Sequence, residues 1–186
     1  EFYKLFDLDK LYNGWSLNIR ENVTCHYNAA IPLGDDIELI ATTLWAHIPL
    51  QDAFRTEAVI SDFRRIRYGV EPLDFNRFND EHYRCFKFLR ESVSSSKAKH
   101  IIVATHHVPS FELMSPEFKG SDLNGAFTVE LGDYIAASPI EYWIYGHSHR
   151  NIDKVIGNTQ CISNQLGYVF SNEHSSFDRT KHIEIV

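Results

Sequence analysis

Cysteine is scarce in this sequence of 186 residues. Cys25, Cys85 and Cys161 lie far apart and form no C-x-x-C pair, and their odd number excludes a complete disulfide framework. They read as small thiols held in the reducing interior of a cytoplasmic protein, rather than as a metal or redox site. Long apolar runs are missing as well. Stretches such as Ile101-Ile102-Val103-Ala104 fall far short of the ~20 residues a membrane-spanning helix needs, so no membrane partner is expected. Bases are outnumbered, 18 against 25 acids for a net charge of −7. That balance excludes bulk binding to nucleic acid or anionic lipid and leaves nucleic acid in play only as a substrate. Internal repeats and low-complexity tracts are absent. A composition of 44% hydrophobic, 13% aromatic and 23% charged residues excludes disorder. The length fits a single domain over residues 1–186.

Histidine is what the chain has in excess, with ten residues. Their meaning depends on where they fall along the secondary structure. Val23 to Tyr27 alternates in the manner of a strand, Gly34-Asp35-Asp36 signals a turn, and Ile37 to Trp45 is an apolar, β-branched run that predicts a second strand. Residues 46–74 suit a long surface loop or short helices. A helix is predicted from Asn79, which can cap it, with Phe78 stapled onto Tyr83 and with Cys85, Phe86, Leu89 and Val93 on one face. It stops in Ser94-Ser95-Ser96. His100 to Thr105 then reads as a strand buried on both faces, as in a parallel sheet. A second helix is predicted through Phe127, Leu131, Tyr134 and Ile135 and ends at Ser138-Pro139. Glu141 to Tyr145 forms another strand, residues 153–170 supply short strands, and Ile183 to Val186 closes the sheet. Residues 100–145 thus form a βαβ unit with parallel strands.

Each of those two parallel strands runs into histidines. The first continues as His106-His107-Val108-Pro109-Ser110 and the second as Gly146-His147-Ser148-His149. Parallel strands point their carboxyl ends the same way, so both clusters fall on one sheet edge, where ligands bind in open α/β sheets. Gly146 permits a sharp turn there. Neutral imidazoles are ligands for ions such as Zn, Fe and Mn, and several imidazoles crowded together are stable mainly around a cation. An isolated H-x-H carries little weight; joint placement at two strand ends carries more.

These residues also carry a family resemblance. Ile101 to Ser110 resembles the fourth metal-binding motif of the calcineurin-like metallophosphoesterases, and Gly146-His147-Ser148-His149 resembles their closing G-H-x-H motif. Thr43-Leu44-Trp45, Asp62-Phe63-Arg64-Arg65-Ile66 and Ser163-Asn164-Gln165-Leu166-Gly167-Tyr168 are similar to recurring segments of a bacterial branch. The resemblance implies an α/β fold, a four-layer α/β/β/α sandwich here lacking its first strands and helices, with residues 1–186 as the C-terminal portion of the domain. It implies two divalent metal ions (Mn, Fe or Zn), with His106 and His147 on one and His149 on the other. The activity implied is hydrolysis of a small phosphomonoester or phosphodiester by hydroxide formed at the metals. His107 is expected to line the substrate pocket.

The family's D-x-H, G-D-x-x-D and G-N-H-D/E motifs are not intact. Glu1, followed by Phe2-Tyr3, fits the last acid of the third motif, which places the histidine that protonates the leaving group upstream of Glu1. Asp80-Glu81-His82, Gly34-Asp35-Asp36 and Gly132-Asp133 imitate the missing motifs but sit in a helix, a turn and a helix. The chain therefore reads as part of a longer protein. The alternative is a non-catalytic scaffold or pseudoenzyme of the same family. Lost strands would expose apolar sheet surface, so the chain alone is expected to be unstable or to pair with a second copy. Arg64, Arg65 and Arg67 could clamp a phosphate or form a solvated surface run with Asp62. Trp45 could wall the pocket with His47 or simply pack. The loop from Val108 to Gly125 could shape specificity, and Asn151 could orient a ligand ring. His26, His82, His100, His174 and His182 are scattered and read as incidental.

Overall fold

The computed structural model describes Tyr3 and residues 7–185. The expected motif remnant at Glu1-Phe2 and the last residue of the expected closing strand, Val186, lie outside those residues. Among the described residues ten strands form: β1 (Trp15–Arg20), β2 (Val23–Tyr27), β3 (Ala29–Pro32), β4 (Ile37–Thr42), β5 (Arg67–Tyr68), β6 (Glu71–Pro72), β7 (His100–Thr105), β8 (Tyr142–Ile144), β9 (Lys154–Ile156) and β10 (Thr159–Ile162). Four α-helices accompany them among the described residues: α1 (Leu50–Val59), α2 (Asp62–Arg65), α3 (Phe75–Ser95) and α4 (Gly132–Ala137). The chain is mixed α/β. Its main sheet has six strands in the order β3-β4-β7-β8-β10-β9, while β1-β2 and β5-β6 are separate ribbons. The inner four strands are parallel; β3 and β9 join the ends antiparallel.

Strand alternation sorts the sheet into two faces. On one, Ile40, Val103, Trp143 and Cys161 stand side by side in register, and each is 0% exposed. They join one apolar cluster with Ala53 of α1, Phe63 of α2, Phe78 and Leu89 of α3 and Ile135 of α4. On the other face, Ala41, Ala104, Ile144 and Ile162 form the matching row and are only half-buried. Tyr142 points to that face and donates its hydroxyl to the Glu184 carbonyl at 2.9 Å.

Several predicted boundaries move. The strand expected over Ile37 to Trp45 ends at Thr42, because Leu44 and Trp45 adopt left-handed backbone (φ 65° and 55°) that no strand tolerates. The helix expected from Asn79 begins four residues earlier. Asp74 is the cap, accepting from Arg77 N at 2.8 Å. Asn79 lies within the helix, and its amide clamps Ile48, accepting from the nitrogen at 2.8 Å and donating to the oxygen at 3.0 Å. Phe78 is fully buried against Trp45, and Tyr83 is exposed, so the staple does not form. Phe127 to Leu131 is not helical. Its backbone bonds the segment after β7 instead, through Val108 N to Phe127 O, Val129 N to Val108 O and Leu131 N to Pro109 O at 2.9–3.0 Å, and α4 starts only at Gly132. Ile183 to Ile185 form no strand. The βαβ unit from β7 through α4 to β8 forms as expected, with β7 and β8 parallel.

Candidate functional site

The parallel strands deliver four segments to one sheet edge: Thr43-Leu44-Trp45 after β4, His106-His107 after β7, Tyr145 to His149 after β8, and Ser163-Asn164-Gln165 after β10. Backbone bonds tie them together. Gly146 N donates to His106 O at 3.1 Å, Tyr145 N to Ile162 O at 3.1 Å, and His107 N to Thr43 O at 3.3 Å. Non-glycine residues with left-handed backbone concentrate here. Besides Leu44 and Trp45 they include His147 (φ 68°) and His149 (φ 52°). Such residues cost ~1–3 kcal/mol each and persist only where the surroundings hold them.

The histidines of the two strand ends meet. The His106 and His147 rings are 4.5 Å apart, His107 and His147 are 4.4 Å apart, and His106 and His107 are 5.2 Å apart. Phe127 stacks on His147 at 4.8 Å, and Trp45 stacks on His107 at 5.5 Å. His106 is exposed, His147 half-buried and His107 buried. Burial, with His106 nearby, pushes the His147 pKa down to about 3 against a hydrogen bond to the Ala126 carbonyl. Burial, followed by His147 and His106, drives His107 well below the ordinary imidazole value. Both rings are therefore neutral at pH 7 and offer lone pairs. His107 Nδ1 lies 3.2 Å from Thr43 O, which assigns the ring proton to Nδ1, and its buried Nε2 has no hydrogen-bond partner among the described residues.

His149 stands further along the same turn. Its Nδ1 lies 2.9 Å from Glu173 Oε2, its backbone N donates to Gln165 Oε1 at 2.8 Å, and its ring meets Tyr168 edge-on at 4.7 Å. It reaches the His147 ring electrostatically. Gln165 is the organiser of this turn: its Nε2 donates to Arg150 O at 2.8 Å, Ser163 Oγ at 2.7 Å and Ser148 Oγ at 3.2 Å. Among the described residues Asn151 bonds Gln165, Ser163 and Ser176. Its Nδ2 donates to Gln165 O at 3.0 Å, so it orients His149 one step removed, through Gln165.

The other expected contacts fall out differently. Trp45 is 1% exposed and packs behind His107, which makes it a buried support rather than a pocket wall. Arg64 donates to the Ala58 and Val59 carbonyls at 2.8 and 3.3 Å and closes the end of α1. Arg65 lies over the Tyr3 ring, and Arg67 reaches the Val70 carbonyl inside the β5-β6 ribbon. The structure does not group these arginines with the histidines. Arg150 was not anticipated; it directly follows the second cluster, bonds Glu117 at 2.6 Å and lies over Phe118. Of the histidines read as incidental, His82 is buried with Nδ1 3.1 Å from Leu44 O, and His100 pairs with Glu141 at 2.6 Å.

The donor set fits a divalent metal in kind: clustered neutral imidazoles, one with a bare buried nitrogen. Among the described residues, however, no three His, Cys, Asp or Glu side chains stand ready to close on one ion. No helix among them is long and apolar enough to cross a membrane.

No sequence profile of a known protein family matches the chain. It is 28% identical over 165 residues to the uncharacterized protein L509 of Acanthamoeba polyphaga mimivirus. That alignment covers 81% of this chain and 56% of the viral protein, so the chain spans little more than half the length of this relative.

Proposed function

We propose that this chain supplies the histidine half of a two-metal phosphoesterase centre of the calcineurin-like type. The observation that carries the reading is the meeting of His106 and His147, with centroids 4.5 Å apart, at the carboxyl edge of a parallel sheet. His106 and His147 would hold one ion and His149 the other. Bound divalent ions neutralise charge spread over the phosphoryl oxygens and acidify a water. His107 keeps a fixed Nδ1 proton and packs against His147 from the buried side, and Phe127 and Trp45 stop the His147 and His107 rings from turning away. The substrate is a small phosphate ester, and the protein is cytoplasmic.

The half-buried row Ala41-Ala104-Ile144-Ile162 supports a sandwich in which a further layer covers this face. In the isolated chain a second copy takes that place. One observation favours the alternative, a non-catalytic scaffold of the same family: the described residues hold no ready three-ligand group.

Metal analysis after loading with Mn2+ or Zn2+, together with turnover of bis(p-nitrophenyl) phosphate, separates the two. The phosphoesterase reading expects bound metal and hydrolysis once the remaining ligands of the centre are supplied by an intact parent chain, both lost there in His106→Ala, His147→Ala and His149→Ala. Hydrolysis retained in all three variants would end it. Metal binding without any turnover in that intact chain favours the scaffold.

A further inference from the structure

We propose that Glu173 is the positioning carboxylate of His149, a role that rests on His149 being a metal ligand. Three observations meet at this residue. Glu173 Oε2 lies 2.9 Å from His149 Nδ1 and accepts from Tyr168 N at 2.6 Å. The carboxylate is thus anchored on the main chain before it reaches the imidazole. Gly167, at φ +62°, makes the close approach possible: a methyl group in its place would lie 2.6 Å from Glu173 Cβ, 2.8 Å from its Oε2 and 3.3 Å from His149 Cβ. Asn172, also left-handed at φ 59°, turns the chain so that Glu173 faces back toward the histidine turn.

A carboxylate cannot donate, so His149 must present N–H at Nδ1. That leaves the Nε2 lone pair as the only one available to a metal. The carboxylate also fixes the plane of the ring and raises the electron density at Nε2, as carboxylate partners of metal-bound histidines do. His107 obtains the same proton placement from a different source, the Thr43 carbonyl. The loop that follows β10 is therefore part of the site.

The experiment is 15N-edited NMR of the histidine rings in the metal-free chain, combined with Zn2+ titration by calorimetry. The wild type is expected to show His149 with its proton on Nδ1. Glu173→Ala is expected to move the proton to Nε2 or to a mixture and to weaken Zn2+ binding by about 10–100-fold. Glu173→Gln retains an acceptor oxygen and is expected to preserve the proton position. Gly167→Ala leaves the carboxylate chemically intact but pushes it away, and should reproduce the Glu173→Ala result. A Glu91→Ala control, which removes the partner of Lys87 on α3, should leave the His149 ring unchanged. An Nε2 proton in the wild type overturns the proposal whether or not any variant folds. An unchanged tautomer in both Glu173→Ala and Gly167→Ala overturns it too. Zn2+ binding weakened by His149→Ala but not by Glu173→Ala removes Glu173 alone. Zn2+ binding untouched by His149→Ala removes the metal reading beneath it.

Discussion

The two faces of the main sheet carry side chains of similar apolarity and receive different treatment. Ile40, Val103, Trp143 and Cys161 are sealed by helices, whereas Ala41, Ala104, Ile144 and Ile162, each one residue further along its strand, stay half-buried. A strand with one wet face would place polar residues there. β7 does not: His100 to Thr105 is apolar through both faces at its centre. Its sequence is written for two covered faces; on the second, Ile102 and its neighbour Tyr142 are buried while Ala104 and Ile144 stay half-buried. The difference shows that burial demanded by sequence and burial supplied by structure can be read separately, strand by strand.

The comparison is broken or sharpened most by Trp143. Trp143→Ala empties the sealed face and removes the donor to Thr105 Oγ1 at 3.0 Å; the expected loss is about 3–5 kcal/mol in urea unfolding. Ile144→Ala, one residue away on the other face, should cost distinctly less, and equal losses would erase the distinction between the faces. The next effect is on pH. His107 and His147 are held neutral in the fold, with pKa values below the unfolded ~6.5. The unfolded chain then binds more protons, so the stability they contribute is intact above about pH 6.5 and is lost as pH falls toward 3. The slope is at most about 1.4 kcal/mol per pH unit for each group. Metal-free His107→Phe should flatten the curve; an unchanged slope in denaturant titrations from pH 7 to 5 would contradict it. Asp74→Ala should cost ~1 kcal/mol by uncapping α3, the helix that helps seal the first face; Asn79→Ala tests its clamp on Ile48 independently. The smallest expected signal is self-association through the half-buried face. Light scattering should show a concentration-dependent dimer that Ile162→Asp returns to monomer.

What the sequence disclosed follows from the range of the interactions involved. The β7 strand and the histidine edge were readable, because a short apolar run and the geometry of parallel strands are local rules. The start of α3 was not. Asp74 and Asn79 are both good caps, and only tertiary contact with Ile48 decides that Asn79 belongs inside the helix. Phe127, Leu131, Tyr134 and Ile135 carry helical spacing, yet the backbone of 127–131 is recruited by Val108 and Pro109. Arg64 has a phosphate-binding side chain and is instead drawn to the carbonyls that end α1. Glu173 left no trace in the pattern, since 24 residues separate it from His149 and only the fold brings them together.

The contact between Thr43 and His107 is made by the main chain of residue 43. The oxygen that sets this ring's protonation belongs to a peptide group, not to a side chain. Replacing Thr43 by another amino acid leaves that oxygen where it is. The feature is therefore sheltered from single mutations at its own position, and only a displacement of the β4 terminus itself would release it.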